Sequence, residues 1–427
     1  MKNNYLNWVK LDNMGTFYAS TTNKHNPNIY RISVKLTVIV DKELLEEALN
    51  NTLQTISFFK VKLRKGFFWY YLEDNKEKPI IKEEDQLPFT SINTFDNNYY
   101  LFKTTYYEKR INVDFSHILT DGVGALYFIE TLVTNYLKLK YPQTIKQDIL
   151  VKPELFSKKE MSEDSFSKYS KINIRNKKIS KINSKSYILE GLTVNRENIG
   201  VIIGTFSVKR LKEITKKHNV TITNYLTALL IYSIYEGNYK YSSTKDLISV
   251  CVPVNLRAFF PSTSMNNFFT TISVSINPKD KDYTFEDILE LTTNKMKAEL
   301  SEEVLIGKFR DYSNLQKNPL LRFVPLTIKD FLLKGANDIF GYGTTSSVIT
   351  NLGIVNLDPK VSNYIDKFDV IGYIDESVPI KVGVISFEDK LSVSFSTVLI
   401  DKEVERIFFN TLANLGIEVK ISSNIDN

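Results

Sequence analysis

One cysteine and three histidines in 427 residues leave this sequence short of several kinds of chemistry. The lone Cys251 excludes an internal disulfide and suits a reducing cytoplasm, which is the expected residence. One cysteine and the scattered His25, His117 and His218 cannot assemble a standard structural zinc site, so no metal is expected. No apolar run reaches the ~20 residues that cross a bilayer, and the longest, YLTALLIYSIY at 225–235, stops well short. The amino terminus, MKNNYLNWVKLDN, has neither the apolar core nor the small-residue cleavage site of a signal peptide. Also missing are the Gly-x-Ser-x-Gly elbow and the Gly-x-x-x-x-Gly-Lys-[Ser/Thr] phosphate loop. DGVGALY carries Tyr127 where a dinucleotide loop needs its last glycine, and GYGTTS (341–346) fails in the same way. Cys251 sits inside a strand-like apolar run and reads as a core thiol, not a nucleophile.

What is present is an ordinary globular composition, 43% hydrophobic and 24% charged, with length for two domains. The net charge is +6, and residues 152–185, with nine lysines and Arg175 against four acids, hold all of that excess. No nucleic-acid motif accompanies the charge, so nucleic acid is not an expected partner. The stretch reads as a solvated connector, with a steering patch for an anionic ligand as the alternative.

Before residue 150 the pattern mixes strands and helices. IYRISVKLTVIV (29–40) alternates and is β-branched, and Asp41 then caps a run with Leu45, Ala48, Leu49 and Leu53 at helical spacing. Residues 58–73 and 99–117 each read as two strands around a turn, at Gly66 and at Glu108-Lys109. A helix is expected over 122–140, with Leu126, Ile129, Val133 and Leu137 on one face and Leu132 and Tyr136 beside it. The second half repeats the mixture: strand 200–208, helix 209–218, then Thr221 capping a helix over 222–237. Strands follow at 247–254 and 268–276, helices at 284–299 and 323–335, four strands between 346 and 399, and a last helix at 402–415.

The stretch INVDFSHILTDGVGALYFIETLV (111–133) draws attention because an apolar strand delivers His117 into a turn, with a helix start just beyond. Histidine is the side chain whose unperturbed pKa suits proton transfer near neutral pH. Asp121, four residues on, can cap the helix and hold the loop through backbone N–H groups or a buried arginine, while Gly122 permits close approach. The same spacing also suits plain architecture. His25, in a loop, and His218, at a Lys-rich helix end, read as surface residues.

SHILTDG, with a strand before it and an apolar helix behind, resembles the His-x-x-x-Asp-Gly acyltransferase superfamily. That group includes chloramphenicol acetyltransferase, carnitine acyltransferases and peptide-synthetase condensation domains. Within it the chain is similar to the bacterial alcohol acetyltransferase-like branch. The likeness rests on LDNMGTFYAS, KGFFWYYLE, VPVNLRAFFPSTSMNNFF (252–269) and TNLGIV (350–355), in that order. It implies an α/β fold with mixed sheets, in two chloramphenicol-acetyltransferase-like lobes around a tunnel. The lobes would span 1–150 and 200–427, joined by the basic crossover 151–199. It further implies His117 as general base, Asp121 as loop support paired with an arginine, and Gly122 as the motif glycine. Arg257, in VPVNLRAFF, is the candidate partner of Asp121, although it also reads as a surface turn residue. Ser116 stands where many members have a first histidine, and the Asp-Phe-Gly-Trp-Gly motif of some branches is absent.

The implied activity moves an acyl group, acetyl first, from acyl-CoA as co-substrate to a small alcohol or amine. No acyl-enzyme and no permanently bound cofactor are expected. Ser347 and Asn351 are candidate oxyanion donors, each also readable as a structural residue. Two other readings stay open. One is a condensation-type enzyme fed by an acyl carrier protein, for which the basic stretch would be a docking site. The other is a non-catalytic homologue that only binds a ligand.

Overall fold

The computed structural model describes residues 8–23, 26–84, 92, 94–170, 185–195, 198–242, 244, 246–317, 324–328, 330, 345–374 and 378–425, the side chains of Asn13 and 310–317 aside. His25, residues 171–184 of the basic stretch and most of the helix expected at 323–335 lie outside the described residues.

The first part of the chain forms β1 (Trp8–Lys10), β2 (Ile29–Leu36), β3 (Val61–Lys65), β4 (Tyr70–Asp74), β5 (Ile81–Glu83), β6 (Phe102–Tyr107) and β7 (Arg110–Ser116). With them run helices α1 (Asn13–Thr21), α2 (Lys42–Thr55) and α3 (Gly122–Lys140). The expected helix starts are built as caps: Asp41 accepts the Leu44 N–H at 3.1 Å, and Leu45, Ala48, Leu49 and Leu53 are buried behind it. α3 is buried on most sides, as its wide apolar stripe requires. The sequence reading missed α1, β1 and β5, whose short runs carry too little periodicity to stand out.

The second part supplies β8 (Gly200–Ser207), β9 (Ile248–Asn255), β10 (Phe269–Ile276), β11 (Ser347–Val355), β12 (Ile365–Gly372), β13 (Ile380–Phe387), β14 (Lys390–Thr397) and β15 (Lys420–Ser423). Seven of these make one sheet in the order β10-β9-β11-β13-β14-β8-β15. β11 pairs parallel with β9 and β13, and β13, β14 and β8 pair antiparallel, so the sheet is mixed as expected. The apolar helix Ile222–Gly237 fills the core beneath this sheet.

β12 does not stay with its neighbours. It pairs antiparallel with β2, Phe368 opposite Val34, and completes a five-stranded sheet in the order β12-β2-β7-β6-β5. The expected boundary between 1–150 and 200–427 therefore does not divide the strands. Phe368 and Val370 fill the first core, which a boundary drawn from composition cannot register. The crossing brings β12 hard against β13, where a Cβ on Gly383 would stand 2.2 Å from the Val370 carbonyl oxygen. Only glycine fits that approach.

The described part of the basic crossover also departs from a solvated connector. Its short helices Lys158–Met161 and Ser165–Tyr169 bury Met161 and Phe166 in the first core. Ser264 donates to the Glu163 carbonyl at 2.6 Å, which straps this segment to the second half.

Candidate active site

β7 ends at Ser116 and α3 begins at Gly122, so His117 stands on the five-residue link between them. Its backbone is clamped on both sides: its N–H donates to the Asn28 carbonyl at 2.9 Å, and its carbonyl accepts from Asn267 Nδ2 at 3.0 Å. The ring lies against two tyrosines, stacked on Tyr18 at 4.8 Å and tilted to Tyr30 at 4.4 Å. Nδ1 is buried with no hydrogen-bond partner among the described residues, while the side chain lines the cavity. Burial pushes the imidazole pKa down to about 4, against the opposing charge of Asp121, and the charge of Lys381 lowers it further. The ring is neutral at pH 7, the state a general base requires.

Asp121 borders the same cavity, but its carboxylate oxygens are taken by other partners. One carboxylate oxygen caps α3 by accepting the Val123 and Gly124 N–H groups, each at 3.1 Å. The other accepts Arg257 Nη1 at 2.7 Å and the Phe268 N–H at 2.8 Å. Both members of the pair are buried, with side chains 6% and 5% exposed. Arg257 therefore is not a surface turn residue. It follows β9 in a tight turn, donates to the carbonyls of Ser264 at 2.8 Å and Asn266 at 2.7 Å, and lies over the Phe268 ring. Thr120 adds a bond to the Met265 carbonyl at 2.6 Å. The 264–268 segment thus grips the histidine loop from the second half of the chain.

Gly122 packs closely on the other lobe: a Cβ there would sit 2.3 Å from Leu352 Cδ2, so a side chain at this position needs the Leu352 tip to turn aside. β11 bulges between Asn351 and Ile354, with Gly353 at φ +81°, and this turns Leu352 toward the start of α3. The two lobes close on each other at this point.

Between them lies a cavity of about 790 Å³, lined by Tyr18, His117 and Gly122 from one side and Thr223, Asn351 and Lys381 from the other. Asn351 reaches it, donating to Thr223 Oγ1 at 3.0 Å and accepting the Gly353 N–H at 2.8 Å. Ser347 does not. It is fully buried, outside the cavity wall, and its hydroxyl donates to the Ile380 carbonyl at 2.8 Å. Its proton is committed to holding β11 against β13, so it is corrected from oxyanion candidate to structural residue.

Two residues of the site escaped the sequence reading. Asp12 caps α1, accepting the Gly15 N–H at 2.5 Å and the Asn267 N–H at 3.2 Å, and burial pushes its pKa up to about 7. Asn267 links that carboxylate to the histidine loop. An Asp followed by helix-forming residues in LDNMGTFYAS was the available signal for the cap. His218 ends the helix Val208–Lys217, and burial pushes the Cys251 thiol up to about 12, an inert core group. Among the described residues no cluster of three His, Cys, Asp or Glu forms a metal site, and no helix is long and apolar enough to cross a membrane.

Two lobes around a shared cavity, with a histidine on the link between a strand and a helix, define the chloramphenicol-acetyltransferase and condensation-domain class of folds. Solved structures agree on that class. Polyketide synthase associated protein 5 from Mycobacterium tuberculosis superposes with TM-score 0.57 at 11% identity, covering 95% of this chain and 97% of that one. The trichothecene 15-O-acetyltransferase from Fusarium sporotrichioides gives 0.59 at 10%, covering 96% and 95%. F. graminearum TRI101, complexed with coenzyme A and T-2 mycotoxin, gives 0.62 at 13%, covering 96% and 99%. No curated protein sequence matches this chain. The chain belongs to the alcohol acetyltransferase family, whose model matches residues 109–368.

Proposed function

We propose that this protein is a CoA-dependent O-acyltransferase that moves an acyl group, acetyl first, from an acyl-CoA thioester to a small alcohol. An amine is the alternative acceptor. The observation that carries this reading is the His117 imidazole, held neutral by burial in the wall of a cavity shared by both lobes. The imidazole takes the proton of the acceptor hydroxyl as its oxygen attacks the thioester carbonyl carbon. The tetrahedral intermediate then collapses, the C–S bond breaks, and the thiolate recovers the proton from His117. General-base assistance is worth about 10²–10⁴ in rate, and fixing both substrates at attack distance contributes more. Asn351, in the cavity wall, is the candidate donor to the carbonyl oxygen. Asp121, Gly122 and Arg257 hold the loop, and none of them needs to exchange a proton. Cys251, the only thiol, is buried and protonated, so transfer is direct, without an acyl-enzyme on sulfur.

We place the reaction in a reducing bacterial cytoplasm, the setting that a single unpaired thiol suits. The carrier-protein reading is less well supported, because part of the basic stretch proposed for docking is packed as a strap. The test is thiol release from acetyl-CoA, and then from longer acyl-CoAs, against a panel of alcohols and amines with no carrier protein. His117→Ala should abolish release while the melting temperature stays near that of the wild type. Full activity in that variant removes the proposed base. Ligand binding without turnover in the wild type favours the non-catalytic reading.

A further inference from the structure

Both tryptophans of the chain, Trp8 and Trp69, lie at the small three-stranded sheet β1-β4-β3 and are 42% and 45% exposed. Register fixes which way its side chains point. Tyr70 and Leu72 of β4 are buried, so the alternate residues Trp69, Tyr71 and Glu73 face outward. Trp8 stands opposite Glu73 and Lys10 opposite Tyr71 on one flank, while Lys62 and Arg64 stand opposite the same two residues on the other. Trp8 and Tyr71 meet edge to face at 5.9 Å. The turn from β3 to β4 carries Phe67, 71% exposed, with the Phe68 ring 4.7 Å from it. One acid, Glu73, serves both Lys62 and Arg64, which leaves the face positively charged.

We propose that this face is a peripheral docking surface for an anionic lipid bilayer. Large apolar groups clustered on an exterior mark an interaction site. Trp and Tyr rings settle at the headgroup level of a membrane, where one end of the ring meets hydrocarbon and the other water. Cations interleaved among the rings match lipid phosphates and carboxylates, whereas the centre of a protein–protein interface is depleted of charge. The Phe67-Phe68 tip is the part that enters the acyl boundary. α1 runs from this sheet toward the cavity, where Tyr18 and Thr21 form part of the wall. Docking therefore sets the cavity within one short helix of the bilayer, a source of apolar acceptor alcohols. That last use rests on the acyl-transfer reading; the docking itself does not.

Because the only two tryptophans belong to this face, their fluorescence reports on it directly. The whole chain is titrated with phosphatidylcholine vesicles, with and without phosphatidylserine, and binding is checked by co-sedimentation. A blue shift and sedimentation with the anionic vesicles are expected, both weakened by added salt. Lys10→Glu should lower the partition coefficient by about 25-fold, at about fivefold per unit of charge near the surface over the two units changed. Phe67→Ser should lower it as well, and neither variant should change the melting temperature appreciably. The proposal is overturned by the absence of any shift with either vesicle, by binding that both variants retain in full, or by a shift that a single-stranded oligonucleotide produces and vesicles do not. Turnover is not measured, so a failed docking result and a failed acyl-transfer reading stay distinguishable.

Discussion

Asp121→Asn tests the division of labour at the site, because Asn is nearly isosteric and removes only charge and acceptor capacity. The carboxylate accepts four N–H donors, two on each oxygen, from Val123, Gly124, Arg257 and Phe268. A carboxamide has one acceptor oxygen, so in either orientation its NH₂ group meets two donors head-on. The Arg257 charge also stays buried without its counter-ion. Removing one partner of such a pair costs about 3–5 kcal/mol. Arg257 keeps the carbonyls of Ser264 and Asn266 as acceptors, which argues for the lower end, about 3 kcal/mol. With ~2.1 cal/mol/K of unfolding entropy per residue, a cooperative unit of this length loses about 3 °C in melting temperature. The rate of thiol release should fall as well, since the 264–268 segment that grips the His117 carbonyl is tethered through Phe268. Its acid limb should move to lower pH, because the Asp121 charge works to raise the His117 pKa. Calorimetry and a pH–rate profile from 3.5 to 9 read both effects. An unchanged melting temperature, with the whole loss in the rate, would refute the anchoring role and assign Asp121 to the imidazole directly.

The remaining expectations concern pH and packing. Wild-type kcat/KM should be flat above about pH 5 and fall as pH drops through about 4, where His117 takes up a proton. The same buried ring makes the fold lose stability as pH falls from the ordinary histidine value toward about 4, because the unfolded chain binds that proton first. Glu405 runs the other way: burial raises its pKa to about 7, so its contribution is intact at acid pH and is lost as pH rises through about 7. Glu405→Gln should leave the melting temperature unchanged at pH 4.5 and raise it by about 1–3 °C at pH 8.5; an equal effect at both pH values would show that ionisation is not what matters there. Gly122→Ala should change stability by no more than about 1 kcal/mol, because the atom it meets is the tip of the flexible Leu352 side chain and alanine is the better helix former; a loss of about 3 kcal/mol on chemical denaturation would show that Leu352 cannot turn aside. Ser347→Ala should lower stability with kcat near normal, whereas Asn351→Ala should lower kcat; the reverse pattern would return Ser347 to the oxyanion role.

Much of this protein was determined locally, and local structure is what a sequence states. Helix caps at Asp41, Asp121, Ser207 and Thr221 sit where a short polar side chain precedes a 3.6-residue apolar period. Strands alternate wherever one face is buried, and the His117-to-Gly122 link is a contiguous stretch of chain. What the tertiary structure decided are choices between distant partners. β12 joined β2 and not the sheet of its neighbours, because its apolar face completes the first core. Asp12 and Asn267 met across 255 residues to support the histidine loop. Ser347 and Asn351 lie four residues apart on one strand, yet only Asn351 reaches the cavity, because the hydroxyl of Ser347 is turned to a neighbouring strand. The basicity of His117 was likewise set by what packs around it, since desolvation depends on atoms brought from both lobes and not on the residue type.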